Sequence, residues 1–204
     1  MSKDYSLCAE AKTKHGLAAD EVVSGLQKAI RRSMTELACR YAYELYTTSP
    51  VLLEKVWSRL MSISVEDIGF GNLDAARHIY VLNQMRKEYA YDDPDQPMYF
   101  IHAIRILCAS EKDRSSDFLK NIVQDSGDGR GAGDHRPGAG QAHQARQGDG
   151  KRFKHFFNEG CKVIPQAEVD NDYRERYGKI LEEYDPDKVE EMRSSMQSAV
   201  YRAK

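Results

Sequence analysis

Apolar residues recur every three to four positions through most of the first 124 residues, with no sustained two-residue alternation, so the periods are those of helices rather than strands. Val22, Val23, Leu26, Ala29 and Ile30 fall on one side of a helix that Asp20 is placed to cap, while Gln27, Lys28, Arg31 and Arg32 populate the rest. Leu37, Ala38, Tyr41, Ala42 and Leu45 form the stripe of a second helix over Thr35 to Tyr46, with small residues that permit close approach. Ser49-Pro50 then has the form of an N-cap followed by proline at the first helical position. The helix it opens carries Leu52, Leu53, Val56, Trp57, Leu60, Met61, Ile63 and Val65, the most hydrophobic stripe of the chain, and predicts a central helix with Trp57 in the core. Asn72 is placed to cap a helix from Leu73 to about Tyr89, in which Ala75, Ala76, Ile79, Tyr80, Leu82, Asn83 and Met85 keep the period. The acidic, proline-rich run Tyr91 to Pro97 breaks it and sets up a helix from Met98 to Cys108, followed by one over about Ser115 to Val123. Five or six antiparallel helices with short links predict an all-α fold, a compact bundle.

The stretch Ser62 to Asn72 organises this pattern. It puts the adjacent carboxylates of Glu66 and Asp67 at the end of an apolar helix, where the helix dipole disfavours negative charge, and then places Gly69 where a left-handed C-cap needs glycine. Such acids need cations. Lys28, Arg31 and Arg32 on the first helix are the nearest candidates, so Lys28, Arg31, Arg32, Glu66 and Asp67 are expected to form a structural charge cluster joining two helices. The competing reading makes Lys28, Arg31 and Arg32 a phosphate-contacting edge, for which three cations are a weak footprint. Tyr41, Tyr43 and Tyr46 have mainly Arg40 beside them, which favours packing over base stacking.

The residues of this corner carry a family resemblance. The run from Asp20 through Asn72, opening on EVVSGLQKAIRRS and closing on SVEDIGFGN, resembles the helical C-terminal region of the replication-associated recombination protein A family (RarA, also called MgsA). The similarity extends to about Val123, and the serine-x-Glu-Asp-Ile-Gly element is its most specific part. The family are AAA+ ATPases related to clamp loaders, so the resemblance implies a collar-type bundle that assembles subunits in replication, recombination and repair. The chain has no GxxxxGK[ST] phosphate loop and no hydrophobic strand ending in paired acids. The resemblance therefore implies the accessory region without the motor, with no catalytic residue and no cofactor site. Residues 1–19, with a short helix expected over Tyr5 to Lys14, would stand at the junction with the ATPase core. Met1 falls near where the motor would have ended, which fits a stand-alone accessory protein and equally a truncated gene.

Composition narrows the partners. With 41% hydrophobic and 30% charged residues in 204, the chain can bury one real core, and its net charge of -2 supplies no global attraction to nucleic acid. The four cysteines, at 8, 39, 108 and 161, are too widely spaced for a zinc ribbon or a redox pair; together with the lack of a signal peptide this predicts reduced thiols in the cytoplasm. Cys39 and Cys108 lie in apolar helical patterns and read as small buried hydrophobes. No apolar run approaches the roughly 20 residues that span a bilayer. Glu66, Asp67, His78 and His102 are donors of the right type for a metal-assisted hydrolase, but no HExxH or i, i+4 histidine pair organises them.

From Asp125 to Arg152 the pattern fails. These 28 positions hold eight of the fourteen glycines and no Leu, Ile, Val, Met, Phe, Tyr or Trp, which at face value predicts a disordered linker. One codon choice for Ala139 to Gly150 reads, one base later, as LDKHTKQGKAMG, a segment of ordinary charged and apolar character similar to the stretch after the helices in RarA-type proteins. A pair of compensating frame shifts replacing about Gln124 to Arg152 accounts for both facts. Ordinary composition returns in a 153–204 tail. There Phe153, Phe156 and Phe157 are suited to docking on the helical body, and Arg152, Lys154 and His155 beside them are the best local nucleic-acid candidates. Two short charged helices separated by Asp185-Pro186 are expected beyond Pro165. The sequence as a whole points to a non-catalytic oligomerisation or interaction module, a homo-oligomer or the companion of a separate AAA+ subunit. The alternatives are the metal-assisted hydrolase and a gene remnant without activity.

Overall fold

The helical periods fold as seven α-helices within the residues that the computed structural model describes, 11–127 and 159–183. They are α1 (Ala19–Arg31), α2 (Thr35–Thr48), α3 (Pro50–Ile63), α4 (Ala75–Met85), α5 (Gln96–Ala109), α6 (Ser115–Gly127) and α7 (Tyr173–Glu183). Among the described residues the only β pairing is two isolated bridges, Lys12 with Ala18 and Lys112 with Gln166, so the protein is all-α. The chain divides into two compact units. The first is Met1–Ser116 with Lys162–Val169, and the second is Asp117–Cys161 with Asp170–Lys204.

In the first unit α1 to α5 bury the apolar stripes that predicted them. Val22, Val23, Leu26, Ala29 and Ile30 of α1 are all buried, and its ends suit its dipole, with Asp20 and Glu21 in the first turn and Lys28 and Arg31 in the last. The N-cap is Ala18 rather than Asp20, whose Oδ1 instead accepts the Glu21 N–H at 2.9 Å. Ser49 caps α3 as its sequence requires, accepting the Leu52 N–H on Oγ at 3.2 Å, with Pro50 behind it. Helix α3 touches α1, α2, α4 and α5, and buries Leu53, Val56, Trp57, Leu60 and Ile63. Each such side chain contributes roughly 1.5–3 kcal/mol on removal from water, which makes α3 the centre of the core.

Several local expectations shift. Residues 11–14 are not helical, and Tyr5 to Glu10 lie outside the described residues. Asn72 starts a turn rather than the helix itself: its Oδ1 accepts the Asp74 N–H at 3.1 Å, its carbonyl accepts the Ala75 N–H, and α4 begins at Ala75. Tyr80, placed in the core stripe by its spacing, faces solvent, while Ala75, Ile79 and Asn83 point inward. Asp93 accepts the Asp95 N–H at 2.8 Å, and this tight turn lets α5 start at Gln96, two residues before Met98.

Segment Lys162–Val169 is the last part of the first unit. Ile164 N–H donates to Arg31 O at 2.9 Å, Lys112 N–H donates to Pro165 O at 3.0 Å, and Ala167 N–H donates to Lys112 O at 2.9 Å. Val163 and Ala167 are its buried side chains.

In the second unit Phe118 and Ile122 of α6 pack with Tyr177 and Tyr173 of α7, the Phe118 and Tyr177 rings lying 6.1 Å apart. Same-helix pairs such as Lys179 with Glu175 at 2.8 Å cover the outer surface of α7. The Gly-rich segment beyond Gly127, the aromatics Phe153, Phe156 and Phe157, the trio Arg152, Lys154 and His155, and the helix expected after Asp185-Pro186 lie outside the described residues. Among the described residues no helix is long and apolar enough to cross a membrane.

Candidate functional site

Helix α3 does not run on into Glu66-Asp67. It ends at Ile63, and Ser64–Ile68 form one wide π turn followed by a 3-10 turn, Gly69–Gly71. The wider turn carries Asp67 inward, where it is fully buried, and leaves Glu66 half-buried beside it. Gly69 has φ 46° and ψ −125°, so it is not the left-handed C-cap the sequence suggested. Its positive φ serves a different purpose, a close passage of chain. A Cβ on Gly69 would lie 2.5 Å from Asp113 O, and one on Gly71 would lie 2.4 Å from Glu111 O. The two glycines are where the 111–114 segment presses against the corner, and Asp113 N–H donates to Ile68 O at 3.0 Å across it.

That segment delivers a residue the sequence reading missed. Arg31 Nε donates to Asp67 Oδ1 at 2.6 Å and its Nη2 to Glu66 Oε1 at 3.1 Å, while Arg114 places Nη1 3.3 Å from Asp67 Oδ1 and Nη2 3.6 Å from Glu66 Oε1. Gln27 Nε2 donates to Asp67 Oδ2 at 2.8 Å and to Glu66 Oε1 at 3.1 Å, and Arg59 Nη1 donates to Gln27 Oε1 at 3.2 Å. Two guanidinium groups thus balance two carboxylates, and each oxygen of Asp67 is engaged. The cluster joins α1, α3, the corner and the 111–114 segment.

Of the five residues expected in the cluster, Arg31, Glu66 and Asp67 meet and Lys28 and Arg32 do not. Arg32 is exposed and donates from Nη1 to Lys28 O at 3.2 Å, and neither side chain pairs with an acid among the described residues. The geometry explains the exchange. Gln27 lies one turn before Arg31 on the same face of α1, so it fills the place that Lys28 and Arg32 are turned away from.

Lys112, also unforeseen, is fully buried next to the cluster. Its Nζ donates to Ser110 O at 2.7 Å, Ser33 Oγ at 2.9 Å and Cys108 O at 3.2 Å. Burial pushes its pKa below the ordinary lysine value, and Cys108 and Asp67 offset part of that shift. Burial pushes the thiols of Cys39 and Cys108 up, so both are protonated at neutral pH and suited to packing rather than nucleophilic attack.

The metal reading required Glu66, Asp67, His78 and His102 in one place. His78 and His102 are exposed on α4 and α5, whereas Asp67 is sealed among guanidinium groups, and among the described residues no three His, Cys, Asp or Glu side chains are arranged to hold a metal. Tyr46 is used in packing. Its hydroxyl donates to Tyr91 O at 3.1 Å, Tyr91 returns a hydrogen bond to Tyr46 O, and the two rings lie 5.3 Å apart. No protein-family model and no curated protein matches the chain.

From the corner into α4 exposed apolar side chains are frequent. Val65, Phe70, Leu73, Tyr80, Val81 and Met85 are all exposed, six of the large exposed hydrophobics within 21 residues. On α4 the side opposite Ala75, Ile79 and Asn83 carries Tyr80, Val81 and Met85 with Arg77, His78 and Gln84.

Proposed function

We propose that the chain is a non-catalytic helical module related to the C-terminal region of RarA-type AAA+ ATPases, working in the cytoplasm by assembling with copies of itself or with a separately encoded ATPase subunit. One observation supports it most directly: the concentration of exposed apolar side chains from Val65 to Met85, attached to a corner whose shape is held by a buried ion cluster. A rigid corner presents such a surface in one geometry, which is what an assembly face needs. The absence of a phosphate loop from the sequence leaves nucleotide hydrolysis to the partner. Arg152, Lys154 and His155 are the residues this reading assigns to DNA contact, and Lys28 and Arg32, left outside the ion cluster, could add to it.

Light scattering after size exclusion tests the proposal. The expected result is a mass above that of the monomer, or a stable complex with a phosphate-loop ATPase. A strict monomer that retains no such ATPase overturns it.

A further inference from the structure

Two charges on α4 stand at the ends of the helix that its own dipole disfavours. Arg77 lies in the first turn, where the free N–H groups carry partial positive charge and where the helix holds no acid. The 3-10 turn Arg86–Glu88 continues α4 past Met85 and ends on Glu88, beside the free carbonyls. Asp74 and Lys87 stand as the dipole favours: Asp74 takes up Arg77 at 2.9 Å, and Lys87 donates to Gln84 Oε1 at 3.4 Å. Glu88 is exposed and makes no ion pair among the described residues. Eleven positions separate Arg77 from Glu88, about three turns, so the two project from one side of the helix with Val81 and Gln84 between them. That side is opposite the buried Ala75, Ile79 and Asn83, and exposed Tyr80 and Met85 flank it.

Resting on the assembly proposed above for this surface, we propose that its partner is a second copy of the chain, laid antiparallel along α4 about a twofold axis between Val81 and Gln84. An isologous contact needs a surface that complements itself. A cation at one end, an anion at the other and apolar side chains between them form such a surface in the antiparallel orientation only, because parallel pairing sets like charges opposite each other. About the twofold axis Arg77 meets the partner's Glu88 twice, and each charge lies beside the end of the opposite helix whose dipole favours its sign. Tyr80, Val81 and Met85 are covered in the middle, as the centre of an interface requires. The arrangement of charge that costs stability in one copy thus becomes favourable in two.

Charge reversal in full-length chains tests the pairing. Light scattering is expected to give a wild-type mass that is an even multiple of the monomer. Arg77→Glu and Glu88→Arg are each expected to weaken self-association about tenfold or more, since both contacts across the axis become like-charged. Their helical circular dichroism and urea midpoints should be kept or raised, because each reversal suits the dipole of its own helix. An equimolar mixture of the two variants is expected to recover the wild-type mass as a complex of one copy of each. A wild-type oligomer whose mass neither variant changes, or variants that fail to recover it when mixed, overturns the antiparallel pairing and leaves assembly itself standing. A wild-type monomer that retains a phosphate-loop ATPase also overturns the pairing and not the broader reading, whereas a monomer that retains none removes both. Should either single variant fail to fold, the chain carrying Arg77→Glu and Glu88→Arg together decides: the wild-type mass supports the pairing, and a monomer overturns it.

Discussion

Asp67 is the residue on which most of the corner's electrostatics converge. It is fully buried, bonded by Arg31 and Gln27 and 3.3 Å from Arg114, so removing its charge takes from two buried guanidinium groups the more deeply buried of the two carboxylates they share with Glu66. Losing one partner of a buried pair costs about 3–5 kcal/mol, because the surviving charge keeps its desolvation penalty with less compensation. Asp67→Asn is therefore expected to lower stability by that amount in urea unfolding at neutral pH. Glu66→Gln, whose side chain is 29% exposed, should cost about 1 kcal/mol or less. A cost at Asp67 no larger than at Glu66 would mean that the cluster is not a structural tie. Adjacent acids behind an apolar helix announce that cations must come, and Arg31 is a legible partner because it shares a face with the α1 core stripe. Arg114 was not legible. It stands 47 positions from Asp67, in a connection without periodicity, and only the paired glycines at 69 and 71 hint that another chain passes close by.

Elements were legible where a local rule and the apolar period agree. Ser49-Pro50 starts α3 at the residue its cap predicts, but the end of α3 depends on a π turn, and nothing local distinguishes that from one more α turn ended by glycine. The far side of α3 makes a second connection of another kind. Arg86, buried after α4, donates from both terminal nitrogens to the Glu54 carboxylate at 2.6 Å each and lies 5.6 Å above the Trp57 ring. The Arg86 hydrogen bonds hold the Glu54 carboxyl below the usual glutamate range, burial opposing them in part. The sign comes from linkage: a carboxyl depressed in the folded state contributes stability above its unfolded value and loses it as pH falls through the folded one. Wild type should thus be more stable than Glu54→Gln at pH 7, with the difference in Tm shrinking below about pH 4.3 and vanishing once both states are protonated. A difference that stays constant down to pH 2 would show that the carboxylate charge is not what Arg86 recognises.

At the scale of the molecule, the all-α class follows from the helical period alone, but the division into units does not. Lys162–Val169 joins the first unit through main-chain bonds, which any sequence can make, and only Val163 and Ala167 bury side chains there. The outward side of α4 was equally hidden, since Tyr80 fits the apolar period as well as Ile79 does, and only the packing of Ala75, Ile79 and Asn83 settles which side is inside. That surface allows the proposed assembly to be tested apart from folding. Val81 is 46% exposed in mid-helix, so a lysine there has room for its stem and keeps its ammonium in water, and such surface changes usually alter stability by no more than about 0.5 kcal/mol. In an interface centre the same ammonium would be desolvated without a partner, a cost of several kcal/mol and hence a loss of association by orders of magnitude. Val81→Lys is therefore expected to keep the wild-type urea midpoint while shifting the light-scattering mass toward the monomer, or abolishing retention by an ATPase partner. An unchanged mass with an unchanged midpoint would move the assembly surface away from α4, and a lowered midpoint would instead make Val81 a packing residue.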